Sequence, residues 1–493
     1  MSTTGTTTAV RRTPAARPGT GLARLLRENP ALRIDQDDYN INVTANYGER
    51  LSEDEVAEAL RTHPGAGRPA HLYFHVPLCA YVCHFCNYVK RKVPDGAEGA
   101  RAPRVWTDLL LEESARRLAH APWLERASIE SVYLGGGTAS LLGTEQLARL
   151  VAHMREHYRL GDDCEISLEG NPDNFLGDEL AEACALGFNR FSVGVQSLQS
   201  EVNAFAGRGH DAVMSLRAIE KLRATGKPYN VDMMFGLPQQ TTATVADDIR
   251  RLVDLGVPTI TVYRLRNADR AGMGIGNRAV WNVPSVKSRL DAQYAFPSVG
   301  ETYAMREAVV ELLLDAGYHP SPCGWWNRPG TYPDGNIPRV SRNKWQRHDT
   351  MIAFGPGAYG WLTRDDDTVV QTHNTADITG YARRMKAGPG LPLAPGRRLT
   401  GHQAMGMVLG FAFKANQPIR AERFRRRFGV EIFHDEPFAS VFAELAERGF
   451  VAPVPDEPEA VVPTLDGEAL HEEIISVYFH QRIGDFAEAV CRR

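Results

Sequence analysis

The chain has 493 residues, of which 43% are hydrophobic and 24% are charged, so it is long enough to bury a large core in two to four domains. Its formal net charge of −4 gives no overall basic field for nucleic acid or for an anionic membrane. No run of about 18 apolar residues occurs, and the N-terminus lacks the apolar core of a signal peptide. We therefore expect a cytoplasmic monomer that binds neither nucleic acid nor membrane.

The first 66 residues are predicted to precede the main domain. Residues 1–20 are rich in Thr, Ala, Pro and Arg, and this composition predicts a disordered tail. Residues 21–66 are predicted to form a helical lead-in. Within it, SEDEVAEALRTH at 52–63 carries Ser and acidic residues where a helix should begin.

Residues 67–300 alternate short β-rich runs with longer amphipathic stretches, a pattern that predicts right-handed crossovers and a parallel sheet. About six such units predict an α/β fold with a partial (β/α)6 barrel, in which the active site lies where the strands end. Residues 301–375 are predicted to extend the barrel. Residues 376–493 are predicted to form a mainly helical, winged-helix-like module.

Three of the seven cysteines lie within HVPLCAYVCHFCNYVK at 75–90, as Cys79, Cys83 and Cys86. Thiolates in this C-x3-C-x2-C spacing can hold one face of an inorganic cluster and leave one metal position open for a small molecule. A structural zinc site usually has two C-x2-C pairs, or Cys with His. Zinc or structural iron-sulfur binding, with His84 as a fourth ligand, remains the alternative.

The other four cysteines are dispersed along the chain. An odd number of cysteines in a long chain without an export signal does not indicate a disulfide framework, and it fits a reducing cytoplasm. We expect ordinary small side chains at Cys164, Cys184, Cys323 and Cys491.

The triple with its flanks, YFHVPLCAYVCHFC, resembles the radical SAM superfamily, whose C-x3-C-x2-C loop binds a [4Fe-4S] cluster. The Y-x-H-x-P lead-in, which begins at Tyr73, is similar to the branch of anaerobic coproporphyrinogen dehydrogenases, heme chaperones and related methyltransferases. The resemblance implies that Cys79, Cys83 and Cys86 ligate the cluster and that S-adenosylmethionine (SAM) binds its open iron. It also implies a 5′-deoxyadenosyl radical and a low-potential electron donor such as flavodoxin or ferredoxin.

Further motifs in the same order extend the resemblance. LGGGTAS at 134–140 is similar to the glycine motif of the family, and glycines let the backbone approach a ligand closely. EGNPDN at 169–174 places a carboxylate at a strand end, where it can bind an amine or a ribose hydroxyl, and DMMFGLPQQ begins at 232. The residues that the resemblance assigns to SAM are Tyr73, Gly136, Gly137, Thr138, Glu169, Gln196, Arg208 and Asp232.

Two departures distinguish the chain within this branch. Tyr88 stands where the dehydrogenases have a further cysteine. Arg342 replaces the histidine of the heme chaperones, and a guanidinium is not a natural axial heme ligand. These departures favour the class C radical SAM methyltransferases and cyclopropanases, which bind two SAM molecules. A heme chaperone or heme-binding protein, or an oxygen-independent coproporphyrinogen III dehydrogenase, is the alternative.

The expected reaction is transfer of a SAM-derived methylene or methyl group to an sp2 carbon of an aromatic or unsaturated natural-product intermediate. The resemblance assigns the second SAM to the segment from Gln346 to Tyr359. Clustered aromatic side chains suggest a flat ligand stacked over the cluster, although packing in a core or lid is at least as good an explanation. These side chains are Trp325, Trp326, Tyr332 and Trp361.

Overall fold

The computed structural model describes most of the chain. The described residues are 28–32, 48–265, 280–293, 296–321, 324–333, 337–343, 347–364, 368–399, 405, 408–410, 412–413 and 417–483. Predictions for the tail 1–20, Cys323, Gln346 and Cys491 fall outside them. Among the described residues, no helix is both long and apolar enough to cross a membrane.

Eighteen strands are found in the part of the chain that the structure describes. In chain order they are β1 (Glu49–Leu51), β2 (Pro69–Val76), β3 (Leu78–Cys79), β4 (Arg91–Lys92), β5 (Ser128–Gly136), β6 (Arg159–Gly170), β7 (Arg190–Gln196), β8 (Tyr229–Phe235), β9 (Thr259–Arg264), β10 (His319–Ser321), β11 (Trp325–Asn327), β12 (Thr350–Phe354), β13 (Tyr359–Thr363), β14 (Val369–Asn374), β15 (Leu393–Leu399), β16 (Ile419–Arg420), β17 (Val451–Val454) and β18 (Glu457–Pro463).

The helices connect the strands on the outside of the sheet. The α-helices span Glu53–Arg61, Gly96–His120, Gly143–His157, Glu179–Leu186, Ser200–Phe205, Ala212–Ala224, Thr242–Asp254, Pro284–Gln293, Val299–Asp315, Arg339–Arg342, Ile378–Ala387, Ala421–Phe428, Phe438–Glu447, Leu465–Ala469 and His471–Ile474. Short 3-10 helices span Pro30–Leu32, Pro122–Arg126, Ala139–Leu142, Pro172–Phe175 and Val280–Asn282, and a π-helix spans Ile475–Ile483.

Six parallel strands form the centre of the fold. They pair in the order β2-β5-β6-β7-β8-β9, and each connection between neighbours carries at least one helix. The carboxyl ends of all six strands therefore lie at one edge, where chemically active side chains can meet. This arrangement confirms the predicted partial barrel.

Antiparallel strands widen the barrel into one 13-stranded sheet. On one side β12 runs parallel to β2, and β13, β14, β15 and β1 follow in antiparallel order. On the other side β11 and β10 pair antiparallel next to β9. The sheet and its helices share one large hydrophobic core.

Local sequence explains where the helices begin. The lead-in helix starts after Ser52, whose hydroxyl accepts a hydrogen bond from the Glu55 backbone NH while the Glu55 carboxylate accepts from the Ser52 NH. Ser298 and Glu301 form the same reciprocal cap at the start of Val299–Asp315. Each cap satisfies backbone donors that the first helical turn leaves without partners.

A second, smaller hydrophobic core lies toward the C-terminus. Helices Ala421–Phe428 and Phe438–Glu447 pack there beside the three-stranded sheet β16-β18-β17. Strand β15 and helix Ile378–Ala387 pack instead with the main sheet, through buried side chains such as Tyr381 and Met385. The main sheet therefore continues as far as residue 399.

Candidate active site

The three clustered cysteines lie on the loop that follows β2, at the carboxyl edge of the barrel. Cys79 and Cys83 are buried and Cys86 is half-buried. Burial, together with the nearby Cys86 and Cys83 thiols, raises the pKa of Cys79 to about 12. The loop therefore brings the three sulfur atoms close enough to influence one another.

The donor set, three thiols on one short loop, fits a cubane iron-sulfur cluster. Among the residues that the structure describes, no three His, Cys, Asp or Glu side chains are arranged to share one ion. Zinc gathers all its ligands around one atom, whereas a cubane cluster spreads three thiolates over three irons. His84 Nδ1 donates to the Phe205 carbonyl at 2.9 Å, which fixes the orientation of the ring beside the loop.

Gly137 lets the glycine motif reach the cysteine loop. A Cβ atom at this position would lie 2.9 Å from the Cys79 sulfur and 2.5 Å from the Leu78 carbonyl oxygen, so any side chain would collide. Gly136 has a φ of 112° and packs against the His75 ring. The end of β5 is thus pressed against the loop that follows β2, with bare backbone at the contact.

Arg208 links the cysteine loop to two neighbouring strands. Its Nη1 donates to the Cys83 sulfur at 3.2 Å, and its Nη2 donates to the Asn171 side-chain oxygen at 3.0 Å and to the Gly194 carbonyl. Its guanidinium also lies over the ring of Tyr81. A half-buried cation therefore stands directly beside one thiolate of the proposed cluster.

Glu169 lies at the end of β6 and meets the glycine motif. Its Oε2 accepts a hydrogen bond from the Gly136 NH at 3.2 Å, and a Cβ at Gly135 would lie 2.3 Å from the same oxygen. Burial, reinforced by the neighbouring Asp232 carboxylate, raises the pKa of Glu169 to about 8. This carboxyl group is poised to ionise when a cation arrives.

Asp232 faces the interior of the barrel from β8. It accepts hydrogen bonds from Ser192 Oγ at 3.0 Å and from Asn230 Nδ2 at 2.9 Å. Burial raises the pKa of Asp232 to about 6, and the hydrogen bond from Ser192 partly opposes this rise. Glu169 and Asp232, two carboxyl groups with raised pKa values, therefore lie close together toward the carboxyl ends of β6 and β8.

The remaining predicted SAM residues lie around the same edge. Thr138 Oγ1 accepts from Asn171 Nδ2 at 3.1 Å. Gln196 has a φ of 72° where β7 and β8 shift register, a backbone conformation that side chains rarely adopt and that is common at functional sites. The Tyr73 hydroxyl lies 2.9 Å from His75 Nδ1. The structure thus places every described residue of this predicted set at or beside the carboxyl edge.

His75 is a structural member of the site that the sequence reasoning did not single out. Its Nε2 lies 2.7 Å from the Val89 carbonyl, and burial lowers its pKa to about 4, so the ring is neutral. Nε2 therefore carries the proton and donates to Val89, while Nδ1 accepts from the Tyr73 hydroxyl. The Y-x-H-x-P motif already contained this signal.

An aromatic cluster borders the cysteine loop, and sequence reasoning missed it. Trp281 donates its backbone NH to the His84 carbonyl at 3.1 Å, and its ring centroid lies 5.7 Å from those of Phe205 and Phe296 and 6.3 Å from that of Phe85. These residues are far apart in the chain, so their spacing gives no pattern. The fold alone assembles them.

The aromatic residues predicted to stack a ligand over the cluster lie elsewhere. Trp326 is buried in the main core, and Trp325 donates its indole NH to the Tyr263 hydroxyl at 3.0 Å. Tyr332 and Trp361 are also buried, in the barrel and against β12. These contacts favour the alternative explanation, in which the aromatic side chains serve as packing around β9, β11 and β12.

The segment assigned to the second SAM spans both ends of β12. Arg342 pairs with Glu130 at 3.5 Å, near the start of β5, whereas Gly355 follows the opposite end of β12. A strand advances about 3.3 Å per residue, so these two positions are separated by the strand's length. The absence of a histidine at Arg342 therefore has no bearing on binding at the cysteine loop.

A parallel barrel with a three-cysteine loop at its carboxyl edge defines a radical SAM protein. Residues 73–252 match the Radical SAM superfamily. This stretch is therefore similar to radical SAM domains, and the three-cysteine loop fits the cofactors of that family, a [4Fe-4S] cluster and SAM. Its relatives include proteins of the coproporphyrinogen oxidase-like branch, which supports that part of the resemblance.

Three curated relatives are informative. The chain is 32% identical to the anaerobilin synthase of Escherichia coli O157:H7 over 298 residues, which cover 59% of this chain and 62% of that protein. It is 28% identical to the heme chaperone HemW of Escherichia coli strain K12, covering 64% of this chain and 75% of the relative. It is 30% identical to the oxygen-independent coproporphyrinogen III oxidase of the same strain, and the match covers 44% of this chain and 46% of the relative.

A solved structure shows the same fold. The structure of coproporphyrinogen III oxidase (HemN) from Escherichia coli, a radical SAM enzyme, superimposes with a TM-score of 0.72 at 21% identity and covers 91% of this chain and 100% of that chain. The expected class C methyltransferase or cyclopropanase of a natural-product pathway is wrong, because the relatives are an anaerobilin synthase, heme chaperones and coproporphyrinogen oxidases. They favour the alternative that the sequence left open.

Proposed function

We propose that this protein is a radical SAM enzyme that acts on a tetrapyrrole. The observation that carries the proposal is the shared chemistry in the names of the relatives: a bilin, heme and coproporphyrinogen are all tetrapyrroles. The proposal extends this shared substrate class to the present chain.

Cys79, Cys83 and Cys86 are proposed to hold the cluster, which supplies the electron that cleaves SAM when bound. Arg208 then offsets the negative charge of the Cys83 thiolate through its 3.2 Å contact. The surrounding loop keeps water away from the sulfur atoms, since Cys79 and Cys83 are buried.

The rim of the barrel is proposed to bind SAM. Backbone groups at Gly136 and Gly137 leave room for the ligand, and Glu169 is placed to accept a hydrogen bond from its amino group or a ribose hydroxyl. Asp232 adds a second carboxylate at the same rim. The residues of the complete proposed SAM site are Tyr73, Gly136, Gly137, Thr138, Glu169, Gln196, Arg208 and Asp232.

A second SAM is proposed beside the first, at the glycine turn 355–358 after β12. Gly355 donates its NH to the buried Glu113 carboxylate at 2.8 Å, and its carbonyl accepts from Asn374 at 2.8 Å. The turn is thereby fixed in position next to His75, whose carbonyl would lie 2.2 Å from a Cβ at Gly355. Gln346, the other residue of this proposed site, lies outside the described residues.

The half-buried rings of Phe85, Phe205 and Phe296, which pack around the buried Trp281, support a flat macrocyclic substrate. This aromatic cluster adjoins the cysteine loop through the bond from Trp281 to His84. Apolar and aromatic walls with a few polar groups are typical of sites for such ligands. Tyr88, where the dehydrogenases have a cysteine, weighs against coproporphyrinogen oxidation and favours heme itself.

Heme carriage without turnover is the second candidate. The 75% coverage of the heme chaperone HemW favours it. Both candidates predict heme binding, and they differ in whether bound heme is consumed with SAM.

The deciding experiment reconstitutes the full chain under anaerobic conditions and compares heme with coproporphyrinogen III. We expect tight heme binding, and formation of 5′-deoxyadenosine that rises when heme is added and matches the loss of heme. Phe205→Ala should weaken heme binding at least about tenfold, whereas the control Trp326→Leu in the main core should not. Stable heme that is never consumed would identify a carrier, and absence of binding by both tetrapyrroles would overturn the proposal.

A further inference from the structure

A basic strand lies directly beside the proposed cluster loop. Strand β4 consists of Arg91 and Lys92, both exposed, and it pairs in parallel only with β3 among the described residues. The register places Arg91 opposite Leu78 and Lys92 opposite Cys79. The buried strand β3 carries the proposed cluster ligand Cys79, and the exposed strand β4 presents two cations to solvent.

The residues on either side of β4, Lys90 and Val93, form hydrogen bonds to two of the three proposed ligands. The Val93 NH donates to the Cys79 carbonyl at 2.8 Å. The Lys90 ammonium donates to the Cys86 carbonyl at 2.7 Å and to the Tyr88 carbonyl at 3.3 Å. A charge on this surface therefore lies within one hydrogen bond of residues that carry cluster sulfurs.

The local charge is opposite to that of the whole chain. Residues 88–104 contain five basic and two acidic residues, whereas the chain has a net charge of −4. Arg91 approaches Glu98 at 3.6 Å, but both side chains are more than half exposed, so this pair neutralises little. At physiological ionic strength charges act over about 8 Å, so an approaching partner senses the local cations.

An exposed aromatic side chain completes the surface. Tyr88 is 48% exposed and lies two residues after Cys86. An exposed tyrosine bordered by cations is typical of protein interfaces, where aromatic residues supply contact area and the charges steer the partner. The short distance to the cluster loop makes this surface suited to a partner that delivers an electron.

We propose that residues 88–92 form the docking surface for a small acidic one-electron carrier protein of the flavodoxin class. The reduced carrier loses one electron and the cluster gains it, so the step needs no other reductant or oxidant. Positive charge at Arg91 and Lys92 complements the acidic rim of such a carrier. The inference rests on the cluster assigned to Cys79, Cys83 and Cys86 and is independent of the tetrapyrrole substrate.

The test measures binding of oxidised flavodoxin to the reconstituted full chain by titration calorimetry, at low and at high ionic strength. Arg91→Glu/Lys92→Glu should bind at least about tenfold more weakly at low salt, and high salt should remove the difference. The matched control Arg217→Glu/Arg250→Glu reverses two exposed charges on other barrel helices and should bind as the wild type does. Iron content reports whether each variant keeps its cluster.

A second double variant controls for damage to the cysteine loop by the introduced negative charges. Arg91→Gln/Lys92→Gln removes the charges without repulsion, and it should lower the ratio of flavodoxin-driven to dithionite-driven SAM cleavage. Unchanged flavodoxin affinity in either variant with full iron content would overturn the proposal. Equal binding of the wild type to phosphatidylglycerol vesicles or to duplex DNA would also overturn it, because the surface would then attract any polyanion. Neither result depends on whether heme is the substrate.

Discussion

The guanidinium of Arg208 donates a hydrogen bond across 3.2 Å to the sulfur of Cys83, although 125 residues separate them. Arg208 also contacts Asn171 and Gly194, so one half-buried cation connects the cysteine loop to the loop after β6 and to strand β7. The position of the proposed cluster thiolate is therefore tied to the strands that form the proposed SAM site.

Removing this cation should alter the electronics of the site. Arg208→Met should lower the reduction potential of the cluster by about 59 mV or more, the shift of a tenfold change for one electron, because the cation stabilises the more negative reduced state. Arg208→Lys keeps the charge but loses the forked contacts, so its shift should be smaller. An anaerobic redox titration followed by electron paramagnetic resonance measures both. Equal potentials in wild type and Arg208→Met would show that this contact has no electrostatic role.

The ligand assignment predicts a sharp difference among cysteines. Cys79→Ala, Cys83→Ala and Cys86→Ala should each lose most bound iron and all SAM cleavage, since a cluster needs its three thiolates. Cys164→Ala is the matched control, because Cys164 is equally buried but lies on β6, away from the loop. Iron and sulfide analysis after reconstitution gives the answer. Full iron content in any of the three variants would remove that residue from the ligand set.

The raised pKa of Glu169 predicts a pH-dependent stability in the absence of SAM. Folding raises the pKa from 4.5 to about 8, so the native state binds more protons than the unfolded state between these values and loses stability as pH rises through them. Glu169→Gln removes this loss. The Tm of the variant relative to wild type should therefore increase from pH 5 to pH 8.

The same group predicts how SAM affinity changes with pH. If the ionised carboxylate accepts the hydrogen bonds of SAM, wild-type affinity should rise as pH approaches and passes 8, and Glu169→Gln should lose this rise. Equilibrium binding of SAM at several pH values measures it, and thermal melts at the same pH values give the stability comparison. A Tm difference that is constant from pH 5 to pH 8 would contradict the assigned environment of Glu169.

The glycine turn after β12 depends on a buried ionic network. The carboxylate of Glu113 accepts hydrogen bonds from the Gly355 NH, the Tyr381 hydroxyl, Asn374 and Arg117. Glu113→Ala leaves the Arg117 charge buried without its carboxylate, which should lower the free energy of unfolding by about 3–5 kcal/mol. The neighbouring Glu112 pairs with Arg116 at the surface, so Glu112→Ala should change it by less than about 1 kcal/mol. Thermal or urea unfolding compares the two, and similar losses would contradict the role given to this network.

Much of the barrel could be predicted from local patterns. The alternation of β-rich runs and amphipathic stretches predicted six parallel units because each strand and helix buries a regularly spaced apolar face. The cysteine spacing predicted the metal-binding loop for the same local reason, since Cys79, Cys83 and Cys86 lie on one short segment. The same one-dimensional information misled the choice of function, because the departures at Tyr88 and Arg342 were taken to favour a methyltransferase, whereas the relatives are tetrapyrrole proteins.

The sequence by itself determined the parallel barrel and the loop that carries the three cysteines, because both depend on residues close together in the chain. Only the tertiary structure decided that Arg342 lies at the opposite end of β12 from the site, that Trp325 and Trp326 pack within the sheet, and that Trp281 borders the cysteine loop. These positions follow from strand order and crossover geometry, which bring distant segments together.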